Sequence, residues 1–432
     1  MKRKVTEQLL SWKSKTTRRM PLILNGARQV GKTYSLRDFG STYYPDVAYF
    51  NLETNLAVSS YFNENIEPDQ ILRYLEVESG KRIIPGETLI ILDEIQTSER
   101  ALTSLKYFNE QMPEHHIACA GSLLGVAMNR EKYSFPVGNV DSISMYPLDF
   151  EEFLWSLNQE LLCDQIRQSF DTDKALPAAL HQRALDYYRL YLIIGGMPMV
   201  IQEYLDTTSL IGIPDIQRRV INDYIADMAK YATNVESVRI RATFDSLPVQ
   251  LAKENKKFQY KLIQRGGSAS IFGTAIDWLA FASIVLKCSR IEHALIPISA
   301  YRDLSSFKLY MADVGLLSMA SGIPQQTVLA AGEAGNTFLG ALTENYVAQE
   351  FTAKHYDLFY WKDRGESELD FLLQKEDRII PVEVKTGSRI KSRSLSVFIE
   401  KYQPDYSIRI SSKNFGFENK IKSVPLYAVF CI

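Results

Sequence analysis

Gly26-Ala27-Arg28-Gln29-Val30-Gly31-Lys32-Thr33 sets glycines, a lysine and a hydroxyl at the spacing G-x-x-x-x-G-K-[ST]. The chemistry of that set is phosphate binding. Glycine lets backbone N–H groups crowd around an anion, and a helix opening at Lys32 adds a favourable field at its N-terminus. Lys32 can reach the β and γ phosphates of a nucleoside triphosphate, and the Thr33 hydroxyl can ligate Mg2+. All eight residues are therefore expected to line the nucleotide, with ATP and Mg2+ as cofactors and Lys32 serving both binding and catalysis.

Thr88-Leu89-Ile90-Ile91-Leu92-Asp93-Glu94 is an apolar run that ends in two acids. Acids at the C-terminal edge of a buried strand stand where ligands bind in open α/β sheets. Asp93 is expected to hold Mg2+, directly or through water, and Glu94 to polarise the attacking water as general base. A solvated acidic strand end is the plainer reading, and the neighbouring phosphate loop weighs against it. Ala120-Gly121-Ser122 follows another apolar run, and the Ser122 hydroxyl is a candidate contact to the γ phosphate or the water.

A separate constellation lies near the C-terminus. Glu383 and Lys385 are two apart in Pro381-Val382-Glu383-Val384-Lys385, so on a strand they share a face. Asp370, on the preceding strand of an expected hairpin around Gln374–Arg378, can come beside them. Two carboxylates and a lysine on one face suit a hard divalent cation and a reacting water or phosphate. Glu344, on a helix before them, is the candidate extra acid. The metal set is thus Glu344, Asp370 and Glu383, with Lys385 catalytic and a second Mg2+ or Mn2+ as cofactor. The plainer alternative is a hairpin whose surface acids pair with a lysine.

These residues need elements to hold them. Leu22-Ile23-Leu24, Val47-Ala48-Tyr49-Phe50, Thr88–Leu92 and Ile117-Ala118-Cys119-Ala120 read as strands between helical stretches, the pattern of a parallel α/β sheet. Residues 206–320 read as mostly helical, and Leu369–Leu373 and Ile379–Val384 as strands. The expected domains are 1–205, 206–320 and 321–432.

At 432 residues, 46% of them hydrophobic and 23% charged, the chain can bury a large core. The four cysteines show no metal or disulfide spacing. A net charge of -2 means that any nucleic-acid surface must be local. Two basic runs qualify, Lys253–Arg265 with Phe258 and Tyr260 interleaved, and Lys385–Lys401. No apolar segment follows the basic Met1–Lys4, and no run is long enough to span a bilayer. The expectation is a cytoplasmic protein with no membrane partner; the oligomeric state is not set by the sequence.

Taken together, Gly26–Thr33, Asp93-Glu94-Ile95-Gln96, Ala120-Gly121-Ser122, Tyr146–Phe153 and Gly195-Gly196-Met197-Pro198 resemble a bacterial and archaeal group of AAA-superfamily ATPases. Met311–Leu317 and Leu342–Val347 resemble the domain of unknown function at the C-terminus of that group, so the likeness runs nearly the whole chain. The Asp370, Glu383-x-Lys385 set resembles restriction-endonuclease-like nucleases. The resemblance implies an α/β chain: an AAA-type parallel sheet, a helical winged-helix-like middle and a nuclease-like α/β domain. It implies an ATPase that couples nucleotide state to a nuclease-like domain acting on DNA. The alternative is an ATP-dependent switch, or a nucleic-acid- or protein-binding module, with an inactive nuclease-like fold. Relatives often carry Gly-Arg before the Tyr-Pro-Leu segment; here Pro136–Val140 has no arginine, and Arg130 lies upstream. That departure argues against fast turnover, because an arginine finger contributes several orders of magnitude.

Overall fold

Four of the short apolar runs become adjacent strands: β1 Leu22–Asn25, β2 Asp46–Asn51, β3 Thr88–Asp93 and β4 His116–Ala120. The computed structural model describes residues 1–121, 138–230, 232–253, 256–330, 337–363, 367–386 and 393–432. Two compact units emerge, one of residues 2–146 with 281–283, the other of 1, 147–280 and 284–432.

In the first unit a fifth strand, β5 Asp141–Ser144, completes a sheet of order β2-β3-β4-β1-β5. Every neighbouring pair in it is parallel. The polar composition of β5 hid it from a hydrophobicity reading; it is the edge strand beside β1. Strands β1, β3 and β4 are buried along their whole length, as parallel strands covered on both faces must be. Ile23, Phe50, Leu92 and Phe108 share one apolar core there. Register aligns Leu24 with Ala120 and Ala120 with Asp93, which brings the C-terminal ends of β1, β4 and β3 to one edge. Helix α1, Lys32–Tyr43, leaves that edge directly after the Gly-rich loop.

The second unit contains an eight-stranded mixed sheet of order β12-β13-β11-β10-β9-β8-β6-β7. Its strands are β6 Val285–Ile291, β7 Arg302–Met311, β8 Phe359–Lys362 and β9 Glu368–Lys375. They continue with β10 Arg378–Val384, β11 Ser407–Ser411, β12 Gly416–Glu418 and β13 Ile421–Pro425. The hairpin β9–β10 forms with a connection of only Glu376-Asp377, since Lys375 still pairs with Arg378. Glu376 takes φ +52°, the left-handed value such tight connections demand. Within the stretch read as mostly helical, β6 and β7 pair with each other, and β6 pairs with β8 some seventy residues downstream. Their Lys, Ser and Arg residues break the apolar signal, and the partner that completes them is remote in sequence.

Helices α4 Val314–Ser321 and α5 Thr337–Ala353 pack against β7 of this sheet, and α2 Phe150–Ser156 and α3 Ala178–Ile194 pack on each other, with α3 also against α4 and α5. Three of the family-like segments meet at one point. The Leu148 N–H donates to the Gly196 carbonyl at 2.7 Å, and the Gly196 N–H donates to Asp313 Oδ2 at 2.6 Å. Asp313 Oδ1 accepts the Leu316 N–H at 2.9 Å and so caps α4. A Cβ on Gly315 would sit 2.5 Å from the Ile194 carbonyl oxygen, so glycine is what lets α4 lie against the end of α3. Asn345 and Gln349 fasten α5: Asn345 bonds the Met311 N–H and C=O at 2.8 and 2.9 Å, and Gln349 accepts the Val314 N–H at 2.9 Å.

Candidate functional site

The Gly-rich loop takes its shape from backbone conformations that only glycine adopts easily. Gly26 has φ +147°, and a Cβ there would stand 2.1 Å from the Met145 carbonyl oxygen. Gly31, at φ +96°, is the residue before α1. Ala27 and Val30 are buried and anchor the loop, while Arg28 and Gln29 are half-buried. Lys32 Nζ curls back to donate to the carbonyls of Gly26 at 3.0 Å and Ala27 at 2.8 Å. Its ammonium therefore lies over the hollow of the loop, where an anion would be met.

Thr33 Oγ1 lies 3.0 Å from both carboxylate oxygens of Asp93. Two oxygen donors in contact at the mouth of an anion-binding loop fit Mg2+ bound with a nucleotide phosphate. Asp93 is 3% exposed and also accepts the Tyr49 hydroxyl at 2.7 Å. Burial, then the hydrogen bond to Asp93, raise the Tyr49 phenol above its ordinary pKa. Glu94 follows with φ +52°, and its carboxylate accepts a hydrogen bond from the Gln96 side-chain amide. Gly121 leaves room for Gln96, since a Cβ there would meet Gln96 Oε1 at 2.6 Å. Ser122, like Arg130, lies outside the described residues.

Arg3 belongs to this site and was not singled out from the sequence, where Met1–Lys4 read only as a basic end. Its guanidinium is buried and donates to the Val30 carbonyl at 2.9 Å and to the Tyr146 carbonyl at 2.7 Å. It ties the phosphate loop to the segment after β5. A lone arginine 23 residues ahead of Gly26 carries no signal of that contact in the sequence.

The C-terminal constellation forms on the sheet face covered by α5. The antiparallel β9–β10 ladder ends with Val382 opposite Phe371, and Asp370 and Glu383 are the next residue of each strand beyond that last pair. Lys385 pairs with Glu383 at 2.9 Å, and Asp370 accepts the Val384 N–H at 2.8 Å. Burial, then Glu383, displace the Lys385 pKa, with the carboxylate raising it overall. Burial and the nearby Glu344 carboxylate raise Asp370 above the usual carboxyl range.

Glu344 reaches the same face but arrives with its partners. It accepts from Lys308 Nζ at 3.0 Å, from the Tyr310 hydroxyl and from Lys256. Burial opposes its charge, yet the Lys256 and Lys308 ammonium groups outweigh burial and hold the carboxyl far below its ordinary pKa. Lys308 also bridges to Glu368 at 2.8 Å, and Glu368 to Lys362 at 2.9 Å. Among the described residues, no group of three or more His, Cys, Asp or Glu side chains is arranged to hold a metal ion. The expected set Glu344, Asp370 and Glu383 does not fit a cation as it stands: Lys256 and Lys308 pair with Glu344, and Lys385 pairs with Glu383.

Lys308, Tyr310, Glu368 and Lys256 escaped the sequence reading. Lys308 and Tyr310 alternate along β7, which would have shown their common face had β7 itself been legible. Within the basic run Lys253–Arg265, Lys256 turns inward to Glu344. Phe258 is buried, stacks on Phe307 with centroids 5.5 Å apart, and is a core residue and not a nucleic-acid contact. Of the second basic run, Arg389 and Lys391 fall outside the described residues.

Residues 18–154 match the family described as an AAA domain. Residues 185–327 and 339–429 match two domains of unknown function, DUF8612 and DUF4143. Residues 18–154 are accordingly similar to P-loop domains of the AAA type. No curated protein matches the chain. Among solved structures, a Walker-type ATPase of Pyrococcus abyssi aligns at 15% identity over 74% of this chain and 95% of its own, TM-score 0.40. Cdc6p from Pyrobaculum aerophilum aligns at 12% identity over 75% and 93%, TM-score 0.26. AMPPCP-bound DnaA from Aquifex aeolicus aligns at 14% over 64% and 85%, TM-score 0.27. Among the described residues no helix is long and apolar enough to cross a membrane.

Proposed function

We propose that the chain binds Mg2+-ATP at Gly26–Thr33, hydrolyses it, and couples the nucleotide state to a nuclease-like C-terminal domain that acts on DNA in the cytoplasm. The observation that carries the nucleotide reading is the 3.0 Å contact of Thr33 with Asp93 at the end of the Gly-rich loop. The loop N–H groups receive the phosphates, and Lys32 exchanges the carbonyls of Gly26 and Ala27 for phosphate oxygens. Thr33 and Asp93 would hold the Mg2+, which would supply charge neutralisation to the phosphates. Glu94 exchanges the Gln96 amide for the attacking water and takes its proton. The absence of arginine in Pro136–Val140 makes this a slow enzyme.

For the second unit, the reading as a restriction-endonuclease-like fold is supported by Asp370, which accepts the Val384 N–H, and by the Glu383–Lys385 pair on either side of that residue. Three helices at 234–245, 247–251 and 269–281, followed by the β6–β7 pair, are the parts a winged-helix-like DNA-binding element needs. A second reading, an ATP-driven switch or a binding module with an inactive nuclease-like fold, is favoured by the lysines that saturate Glu344.

Equilibrium ATP binding and phosphate release test the first part. Lys32→Ala is expected to lose binding; Glu94→Gln is expected to keep binding and to hydrolyse roughly a hundred-fold more slowly or worse. ATP affinity unchanged in Lys32→Ala would sink the nucleotide reading. DNA cleavage on linear, circular, branched and single-stranded substrates, with Mg2+ or Mn2+ and with or without ATP, tests the rest. Cutting that is lost in Asp370→Ala supports a nuclease; no cutting by the wild type supports the switch.

A further inference from the structure

Lys308 lies on β7, the edge strand of the eight-stranded sheet, and is an unusual residue to find buried there. Its side chain is 1% exposed, and it touches Glu344 at 3.0 Å and Glu368 at 2.8 Å. A buried ammonium is stable only where carboxylates surround it. Lys256 joins Glu344 from the opposite oxygen and is 19% exposed. Around this face the carboxylates of Glu344, Glu368, Asp370 and Glu383 are matched in number, among the described residues, by the ammonium groups of Lys256, Lys308, Lys362 and Lys385. Among the described residues the cluster is electroneutral without any metal. A divalent cation added to it would leave a double positive excess, which Coulomb's law at short range disfavours and which the departure of an ammonium reduces.

One atom shows where the neutralisation is incomplete. Glu383 is 3% exposed, and its Oε2 is buried with no hydrogen-bond partner among the described residues. A buried carboxylate oxygen without a donor is costly, and it is the kind of atom that a cation satisfies. The cluster thus has an acceptor available and a charge balance that refuses a cation.

We propose that Lys256 is a displaceable internal cation that closes this carboxylate site to divalent metal, while Lys308 is its fixed counter-ion. Lys308 is held from two sides and sealed from solvent. Lys256 is held by Glu344 alone among the ion pairs of the described residues, and solvent reaches its side chain. Withdrawal of Lys256 frees Glu344 Oε2 and removes one positive charge near Asp370. This rests on the reading of the cluster as a cation site, and it makes metal occupancy conditional on the position of the 256 side chain.

The test is Mn2+ binding to the full chain without nucleotide, by isothermal titration and by the loss of free Mn2+ signal in electron paramagnetic resonance. All proteins carry Asp93→Asn, so that the phosphate loop contributes little. Lys256→Met is expected to bind Mn2+ at least about ten-fold tighter than the Lys256 parent. Adding Asp370→Asn to Lys256→Met is expected to abolish that gain. Lys256→Gln, which keeps a hydrogen-bond donor, replaces Lys256→Met if the latter unfolds. Equal Mn2+ binding with and without Lys256, lost in Asp370→Asn, would overturn the inference and leave the cation site standing. No Mn2+ binding in a folded Lys256→Met or Lys256→Gln protein would overturn both.

Discussion

Asp313 accepts the Gly196 N–H at 2.6 Å through one carboxylate oxygen while its other oxygen caps the helix that begins at Val314. Burial moves its pKa from 3.8 to about 6, against the pull of the backbone N–H groups it accepts. A raised acid pKa means that the folded chain holds this proton more tightly than the unfolded chain. Its contribution is therefore most favourable below about pH 4 and is lost as pH rises through 6. The full swing is on the order of 3 kcal/mol. Denaturant unfolding of wild type and Asp313→Asn across this range should show the variant gaining on the wild type as pH rises. A constant difference would show that Asp313 does not titrate there.

Arg3 should behave as part of the nucleotide loop. Removing its guanidinium leaves the Val30 and Tyr146 carbonyls without their charged donor, a loss of about 2 kcal/mol. Arg3→Ala is expected to lower the melting temperature of the N-terminal unit and to weaken ATP binding. ATP should recover part of the lost stability, because binding favours the ordered loop. Melting curves with and without Mg2+-ATP check this.

Gly26 and Gly80 give a matched pair. Both have positive φ, but a Cβ on Gly26 would overlap the Met145 carbonyl at 2.1 Å, whereas one on Gly80 would have nothing within 4 Å. Gly80→Ala should lose only the conformational term, about 1 kcal/mol, with ATP affinity unchanged. Gly26→Ala should lose ATP binding. Calorimetric titration of both variants separates strain from site geometry.

Lys308→Met removes a buried cation shared by Glu344 and Glu368. Breaking such a pair leaves acids uncompensated and is expected to destabilise the second unit by about 3 kcal/mol or more. The double variant Lys308→Met/Glu368→Gln should be more stable than Lys308→Met. Urea unfolding of the two proteins at neutral pH is the measurement; additive losses would mean that the two residues act independently.

The phosphate loop was legible in the sequence because its chemistry is local. Gly26, Gly31, Lys32 and Thr33 lie within eight residues, and the spacing itself states the backbone turn and the helix start. Asp93 was legible for a similar reason: an apolar strand that ends in acid announces its own C-terminal edge. The hairpin that holds Asp370 and Glu383 was also readable, since a period of two over short strands fixes which residues share a face. The resemblance to AAA-type ATPases rested on such short segments.

Tertiary structure decided what depends on distant pairing. Strand β6 is completed by β8, and β7 by β6, so neither declares itself through its own residues. With β7 unread, Lys308 and Tyr310 had no face, and the lysines around Glu344 could not be foreseen. The same holds for Arg3, whose two carbonyl partners lie 27 and 143 residues away. A spacing motif records which groups a site offers. Whether a buried carboxylate faces a metal, an ammonium or backbone N–H groups is set in three dimensions, because desolvation penalises a buried charge that lacks a counter-charge or hydrogen-bond donors, however far along the chain these lie.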